Sequence, residues 1–179
     1  RNAMKINSLI HQVLNFNRIE DNEDSLLILS RIELVSFSHS LFSVYEEDKR
    51  LTFLFETNKA KIYADMDAIK LGVILDSLLS NAVKFTPDGG SIRLSLFYRE
   101  ETGLVDICVS DTGSGIPARD IPYIFQRFFQ SPHSGNKEGT GIGLYLVKTY
   151  TELHGGHITG VTSEEGKGTS VGLNIPVIA

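Results

Sequence analysis

The feature that most restricts the fold of this chain is the way its apolar residues change period along the sequence. Alternating apolar and polar residues predict strands near residues 51–56, 92–96, 105–109, 158–162 and 171–177. Apolar residues spaced three and four apart predict helices near residues 34–45, 67–86, 118–128 and 143–154. The predicted strands and helices are interleaved along the chain. They pack most simply as an α+β two-layer sandwich, which is a mixed sheet with helices on one face.

Residues 1–20 carry a separate amphipathic pattern that ends at the acidic run EDNED. Its apolar members follow the i, i+3, i+4 spacing of a helix and are Ile6, Leu9, Ile10, Val13 and Leu14. A lone helix with such a stripe must pack against a partner. We therefore expect an N-terminal helix before the sandwich. The turn-rich sequence SEEGKG predicts a hairpin between the last two strands.

Composition and charge exclude several classes of function. The formal net charge of -5 disfavours a nucleic-acid partner, because binding to the phosphate backbone needs a basic surface. The single cysteine, Cys108, excludes an internal disulfide and fits a reducing compartment. No apolar run is long enough to span a bilayer, and a signal-peptide pattern is absent. We expect a soluble cytoplasmic portion, within a parent protein that could be membrane-anchored.

The loop EGTGIGLYLVK at residues 138–148 places three glycines before a helical pattern. A dinucleotide fingerprint would need glycine where Leu144 stands, and the spacing of a P-loop is absent. Backbone N–H groups at a helix N-terminus can close on phosphate oxygens. Glycines before a helix are also common in ordinary turns, so this loop alone leaves both interpretations open.

Polar residues on the helix predicted at 67–86 point to the same chemistry. The spacing places Ser77, Asn81 and Lys84 on one helix face, opposite the core stripe. The amide oxygen of Asn81 could ligate Mg²⁺, while Lys84 could neutralise phosphoryl charge. An ordinary solvated helix face is the alternative.

Two further segments suit a base and a phosphate. In VDICVSDTGSGIP, the strand-end carboxylate of Asp111 could accept a hydrogen bond from an exocyclic amine, and Gly113 and Gly115 would let a flat base approach. In IFQRFF, phenylalanines could anchor a segment from which Arg127 reaches a phosphate. A bare turn and a core helix with one exposed arginine are the respective alternatives.

Five segments follow one another along the chain: SNAVKFTPDGG, DTGSGIP, IFQRFF, GTGIGL and GKGTS. In this order they resemble the N box, the first glycine box, the F box, the second glycine box and the last glycine box of sensor histidine kinases. These kinases share a superfamily with gyrase, Hsp90 and MutL. The resemblance spans about residues 48–177 and implies a Bergerat-type ATP-binding fold. It also implies transfer of the ATP γ-phosphoryl to a histidine, for relay to a response-regulator aspartate. It divides the chain into the second dimerisation helix (1–22), a connecting segment with the first catalytic-domain helix (23–47) and the catalytic domain (48–179).

Matched residue by residue, the resemblance implies ATP and Mg²⁺ as cofactors. Asn81 would bind Mg²⁺, Lys84 and Arg127 would contact phosphates, and these three would form the catalytic set. Asp111 would bind the adenine amine. The other ATP-binding positions would be Gly113, Gly115, Gly139, Thr140, Gly141, Gly143, Leu144 and Thr169. Residues 130–138 would form the ATP lid.

Two departures from the family pattern bear on function. Ser77 stands where the family usually has a second asparagine, so it is only a tentative metal-site residue. The phosphoacceptor histidine would lie on a helix upstream of Arg1, so we expect ATP binding without self-phosphorylation by this fragment.

The implied partners are that helix, a receiver domain and a second copy of the parent. A degenerate binding module is the alternative; a gyrase-type ATPase is disfavoured because it needs a glutamate at position 77.

Overall fold

The computed structural model describes residues 26–132 and 139–177. Within them the strands are β1 (Ser30–Glu33), β2 (Thr52–Thr57), β3 (Tyr63–Met66), β4 (Ser91–Arg99), β5 (Leu104–Asp111), β6 (His157–Glu164) and β7 (Gly168–Pro176). The helices are α1 (Leu34–Tyr45), α2 (Ala68–Phe85) and α3 (Gly143–Leu153), with a short 3-10 helix at Ile121–Tyr123. The N-terminal helix expected at residues 1–20 lies outside the described residues.

Five strands form an open mixed sheet in the order β2-β4-β5-β7-β6. Strands β2 and β4 are parallel, and the other neighbours are antiparallel. Strands β6 and β7 form the hairpin that the sequence SEEGKG predicts. A second, two-stranded sheet pairs β1 with β3.

The core lies between one face of the large sheet and the helices. Alternate residues of the central strands are fully buried there, among them Ile92, Leu94, Leu96, Val105, Ile107 and Leu173. Helix α2 supplies Leu71, Ile74, Leu75 and Leu79, which are equally buried. The predicted mixed sheet with helices on one face is thus confirmed. No helix within residues 26–132 and 139–177 is long and apolar enough to cross a membrane.

The helix predicted at residues 118–128 is wrong. The segment instead forms successive turns, in which the N–H groups of Asp120, Tyr123 and Gln126 donate to carbonyls three residues earlier at 2.8–2.9 Å. Pro117 and Pro122 explain the difference, because each lacks an N–H group and Pro122 interrupts any i to i−4 ladder. The apolar periodicity is real, but the backbone cannot follow it as an α-helix.

The carboxylate of Glu33 joins the small sheet to α1. It accepts N–H groups from Val35 (3.0 Å) and Ser36 (2.9 Å) at the start of α1, and from Ile62 (3.0 Å) next to β3. Burial alone would raise the pKa of Glu33, but the hydroxyl of Ser36 and these three N–H groups outweigh burial and lower the pKa to about 2. The ionised form therefore stabilises the fold.

We expect Glu33→Gln to lower the free energy of unfolding by about 2 kcal/mol near neutral pH, because an amide has one acceptor oxygen where the carboxylate has two. The stabilisation from ionised Glu33 is fully present above its ordinary pKa of 4.5 and is lost as the pH falls towards about 2. Urea unfolding as a function of pH measures it. Glu47→Gln, at an exposed position, is the control; equal losses in both variants would contradict the assignment.

Candidate functional site

Helix α2 positions the polar residues of its last two turns. Asp67 caps the N-terminus, where its Oδ1 accepts two backbone N–H groups at 3.0 and 3.1 Å. The helix ends at Phe85 because Thr86 is extended and a proline follows. These two boundaries place Asn81 and Lys84 near the C-terminal end, and both are half-buried.

Ser77 does not lie on an exposed face with Asn81 and Lys84, contrary to the expectation from helical spacing. Its exposed fraction is 2%, and its Oγ has no hydrogen-bond partner among the described residues. Helix α3 packs on this side of α2, since the Lys70 Nζ lies 5.5 Å from the ring centroid of Tyr150 and Ser77 follows Lys70 by two turns. The spacing correctly predicts the side of α2 on which Ser77 lies, but it does not predict that α3 covers this side.

Asp111 ends β5 with one of its carboxylate oxygens fully engaged. Its Oδ1 accepts the N–H groups of Gly113 at 2.8 Å and Thr169 at 3.3 Å. Its Oδ2 accepts no hydrogen bond from the described residues. Burial raises the pKa of Asp111, and the two N–H groups oppose part of that rise. The result is a fixed, poorly hydrated carboxylate with one acceptor oxygen available.

The first glycine loop (DTGSGIP, residues 111–117) packs closely against two neighbouring elements. A Cβ on Gly113 would lie 2.6 Å from the carbonyl oxygen of Phe85, and one on Gly115 would lie 2.1 Å from that of Glu164. The N–H of Ser114 also donates to Phe85 O at 3.1 Å. These glycines are required by contacts with the end of α2 and the β6–β7 hairpin, a reason that the sequence analysis did not identify.

Ser163 is a polar residue of this region that the sequence analysis missed. Its Oγ accepts the N–H of Ile116 at 2.7 Å and lies 2.8 Å from the Oγ1 of Thr169. It therefore links the first glycine loop to the strand that carries Thr169. The available signal was the hairpin itself, which pairs Ser163 with Thr169.

The second glycine loop (GTGIGL, residues 139–144) contacts both α2 and the arginine segment (IFQRFF, residues 124–129). The N–H of Phe128 donates to Gly141 O at 2.9 Å, and a Cβ on Gly141 would lie 2.6 Å from the carbonyl carbon of Phe128. Arg127 is exposed, with its Cζ 5.0 Å from the ring centroid of Phe128. The Lys84 Nζ lies only 2.9 Å from where a Cβ of Gly139 would stand. The loop thus lies beside Lys84 at Gly139 and contacts, at Gly141, the segment that carries Arg127.

Helix α3 begins directly after this loop and has no side-chain cap. Thr140 Oγ1 accepts the N–H of Ile142 at 3.3 Å, and the N-cap residue Ile142 has an apolar side chain that cannot cap the first turn. The N–H groups of Gly143 and Leu144 precede the first intrahelical hydrogen bond. Donors in this position favour an anion, aided by the helix dipole.

The expected lid at residues 130–138 is described only over residues 130–132, because residues 133–138 lie outside the described residues. Gln130 Nε2 donates to Gly139 O at 2.7 Å and so joins the start of this segment to the second glycine loop.

The predicted segments are thus joined by direct contacts. The end of α2 meets the first glycine loop at Phe85 and the second at Lys84, and the second loop meets the arginine segment at Gly141. Asp111 lies two residues before the first loop and binds its backbone. An open mixed sheet covered by helices, with two glycine loops at the end of one helix and the start of another, is the arrangement that the sequence resemblance implies for an ATP-binding domain.

The family model described as histidine kinase-, DNA gyrase B-, and HSP90-like ATPase matches residues 66–178, and the chain belongs to this family. It is 31% identical over 172 residues to the sensor histidine kinase WalK of Bacillus subtilis, covering 94% of this chain and 28% of WalK. It is also 31% identical over 173 residues to the histidine protein kinase DivJ of Caulobacter vibrioides, covering 95% of this chain and 28% of DivJ. The chain therefore spans under a third of these relatives.

Solved structures agree with this family. The catalytic domain of histidine kinase ThkA superposes with a TM-score of 0.71 at 25% identity, covering 83% of this chain and 95% of that domain. Full-length ShkA in complex with AMPPNP superposes with a TM-score of 0.80 at 26% identity, covering 96% of this chain and 36% of ShkA. The chain is an ATP-binding domain of the histidine-kinase type.

Proposed function

We propose that this chain is the catalytic part of a sensor histidine kinase, which donates the γ-phosphoryl of ATP to a histidine for relay to a response-regulator aspartate. The observation that carries the proposal is the position of Lys84 Nζ beside Gly139, which places a cation at the second glycine loop. The similarity to WalK and DivJ supports it. ShkA, solved with AMPPNP, supports the use of a nucleotide.

Adenine recognition falls to the end of the sheet. The Oδ2 of Asp111 would accept the exocyclic amine, because Oδ1 is already held by Gly113 and Thr169 and fixes the plane of the carboxylate. The hydroxyl of Thr169, itself bound to Ser163, would support the base edge through water. The backbone at Gly113 and Gly115 would lie beside the base.

Phosphate binding falls to the second glycine loop and its neighbours. Lys84 and Arg127 would neutralise phosphoryl charge. The loop would supply backbone donors from Gly139, Thr140, Gly141, Gly143 and Leu144, the last two at the uncapped start of α3. Phosphoryl transfer depends mainly on positioning and charge neutralisation, so the proposed reaction needs no covalent intermediate on this part of the protein.

The residues near Lys84 also fit Mg²⁺, which prefers oxygen ligands. Asn81 would offer its amide oxygen. Ser77, one turn earlier, stays a tentative member of the metal site, because its hydroxyl is buried beneath α3 and has no partner among the described residues. When bound, Mg²⁺ would neutralise charge on the phosphate oxygens, and Asn81 would fix its position relative to Lys84 and Arg127.

A gyrase-type ATPase is less well supported, because Ser77 occupies the position of the glutamate that would activate water. A degenerate module that binds nucleotide without transfer is the second alternative. The proposed partners are the helix that carries the acceptor histidine, a receiver domain and, for the parent protein, a second copy of itself. Histidine kinase ThkA has been solved with the response regulator protein TrrA. We propose a cytoplasmic location for this part.

For Lys84→Ala, we expect ATP affinity to fall about 10- to 100-fold while adenosine affinity stays unchanged, because the lost hydrogen bond involves a charged group on the phosphates only. Calorimetric titration of both ligands, with and without Mg²⁺, measures this. Lys148→Ala, an exposed lysine on α3, is the matched control. Equal losses for ATP and adenosine would contradict a phosphate role for Lys84.

Kinase activity is tested by adding ATP and Mg²⁺ to the parent protein with its upstream helix, and assaying for an acid-labile, base-stable phosphoprotein. Labelling that disappears in Lys84→Ala supports the kinase. Binding without labelling would favour the degenerate module, and rapid release of inorganic phosphate would favour the ATPase.

A further inference from the structure

Three polar side chains lie side by side at the end of the large sheet, on the face that carries the core. Asp111 of β5 is opposite Thr169 of β7, and Thr169 is opposite Ser163 of β6. The pair two positions further into the sheet, Val109 and Val171, is buried in the core. Because side chains alternate between the faces of a sheet, the polar row continues the core face, and its three members are partly buried.

The contacts of Ser163 fix the direction of each hydrogen bond that its hydroxyl makes. The Oγ lies 3.1 Å from Gly168 O, and a carbonyl oxygen only accepts, so Ser163 donates its one proton there. The N–H of Ile116 only donates, so Ser163 Oγ accepts it at 2.7 Å. The remaining contact, with Thr169 Oγ1 at 2.8 Å, is therefore one in which Thr169 donates to Ser163.

This direction leaves the Thr169 hydroxyl with lone pairs and no proton for a ligand. A threonine hydroxyl has one proton and two lone pairs, and Ser163 takes the proton. A group that meets Thr169, directly or through a water, must therefore act as a donor towards it. The Oδ2 of the neighbouring Asp111 carboxylate is also an acceptor. Two adjacent acceptors suit an amino group, which has two N–H bonds, and oppose a carbonyl oxygen in the same place.

We propose that Ser163 is a positioning residue, which fixes the direction of the Thr169 hydroxyl and so strengthens the selection of purines with an amino group at C6. This inference rests on the proposed role of Asp111 and Thr169 in base recognition. The hydrogen bonds run one way, from the base to Thr169, from Thr169 to Ser163 and from Ser163 to Gly168 O. Their direction cannot reverse, because the last member only accepts.

The experiment compares ATP with ITP, which has an oxygen at C6 in place of the amine. Calorimetric titration of the full chain gives the ratio of the two dissociation constants, here called the base preference. In Ser163→Ala the Thr169 proton is free to turn towards the ligand and can donate to the C6 oxygen. We expect the preference for ATP to fall about threefold to tenfold. Ser163→Thr keeps the hydroxyl and should keep the preference.

Two further variants separate positioning from general support of the fold. Thr169→Val should also lower the base preference, and adding Ser163→Ala to it should lower the preference no further, because Ser163 acts through Thr169. Ser170→Ala is the matched control, since Ser170 follows Thr169 on β7 but donates to Ser110 at 2.7 Å on the opposite face of the sheet. It should leave both affinities unchanged. Circular dichroism checks that each variant is folded.

Three results would overturn the proposal while leaving nucleotide binding intact. Equal loss of ATP and ITP affinity in Ser163→Ala would show that Ser163 only supports the first glycine loop at Ile116. A further fall in preference when Ser163→Ala is added to Thr169→Val would show that Ser163 does not act through Thr169. Equal affinities of the wild-type chain for ATP and ITP would show that there is no preference to fix. A wild-type chain that binds neither nucleotide would contradict the proposed function itself.

Discussion

The substitution Asp111→Asn is expected to lower ATP affinity about 10- to 100-fold, or roughly 1 to 3 kcal/mol, with little loss of fold stability. The amide oxygen can replace Oδ1 and keep the two N–H groups of Gly113 and Thr169. The amide nitrogen then takes the place of Oδ2, so a donor faces the donor of the adenine amine. Calorimetric titration with ATP and with adenosine should show equal losses, because only the base is affected.

Asp106→Asn is the matched control for this experiment. Asp106 is also on β5, but it alternates to the opposite face of the sheet, where it pairs with Arg99. Its substitution should leave ATP affinity unchanged. Unchanged affinity in Asp111→Asn as well would remove Asp111 from the adenine site.

The second large effect is expected at Gly168, the first residue of β7. A Cβ on Gly168 would lie 1.9 Å from the carbonyl oxygen of Asp111, and the residue has a φ of +111° that an L side chain rarely adopts. Because the obstacle is backbone, the two strands must separate. We expect Gly168→Ala to lower the free energy of unfolding by about 2 to 5 kcal/mol, from overpacking and backbone strain together.

The same turn supplies the control. Gly166 also has a positive φ, +78°, but a Cβ there would meet nothing within 4 Å. Gly166→Ala should therefore show the backbone strain alone, about 1 to 2 kcal/mol. Denaturant unfolding of both variants isolates the contribution of the contact with Asp111. Similar losses in the two variants would contradict that contribution.

Sequence reasoning succeeded where one periodic pattern decides the structure. The alternation in β4, β5 and β7 and the stripe of α2 gave these elements closely, because each buries a regular face against the core. The order of the five motifs gave the family, and the family model now confirms it. The roles of Asn81, Lys84, Asp111 and Arg127 in binding stay predictions.

Sequence reasoning failed where tertiary contacts determine whether an element forms or a side chain is buried. Strands β1 and β3 have four residues each, too few for alternation to be recognised, and they exist because they pair with each other. The burial of Ser77 follows from the packing of α3, which the pattern on α2 does not contain. Ser163 is significant only through its contact with Thr169 across the hairpin.

Two hydrogen bonds close the segment that follows Arg127, and they have a consequence for protein engineering. Phe128 N–H binds Gly141 O, and Gln130 Nε2 binds Gly139 O, so both ends are fastened outside residues 133–138. Doubling the length of an insert between such fixed ends costs only about 0.6 kcal/mol in closure entropy. The contact between Phe128 and Gly141 should therefore persist when foreign sequence lengthens the connection between these fixed ends.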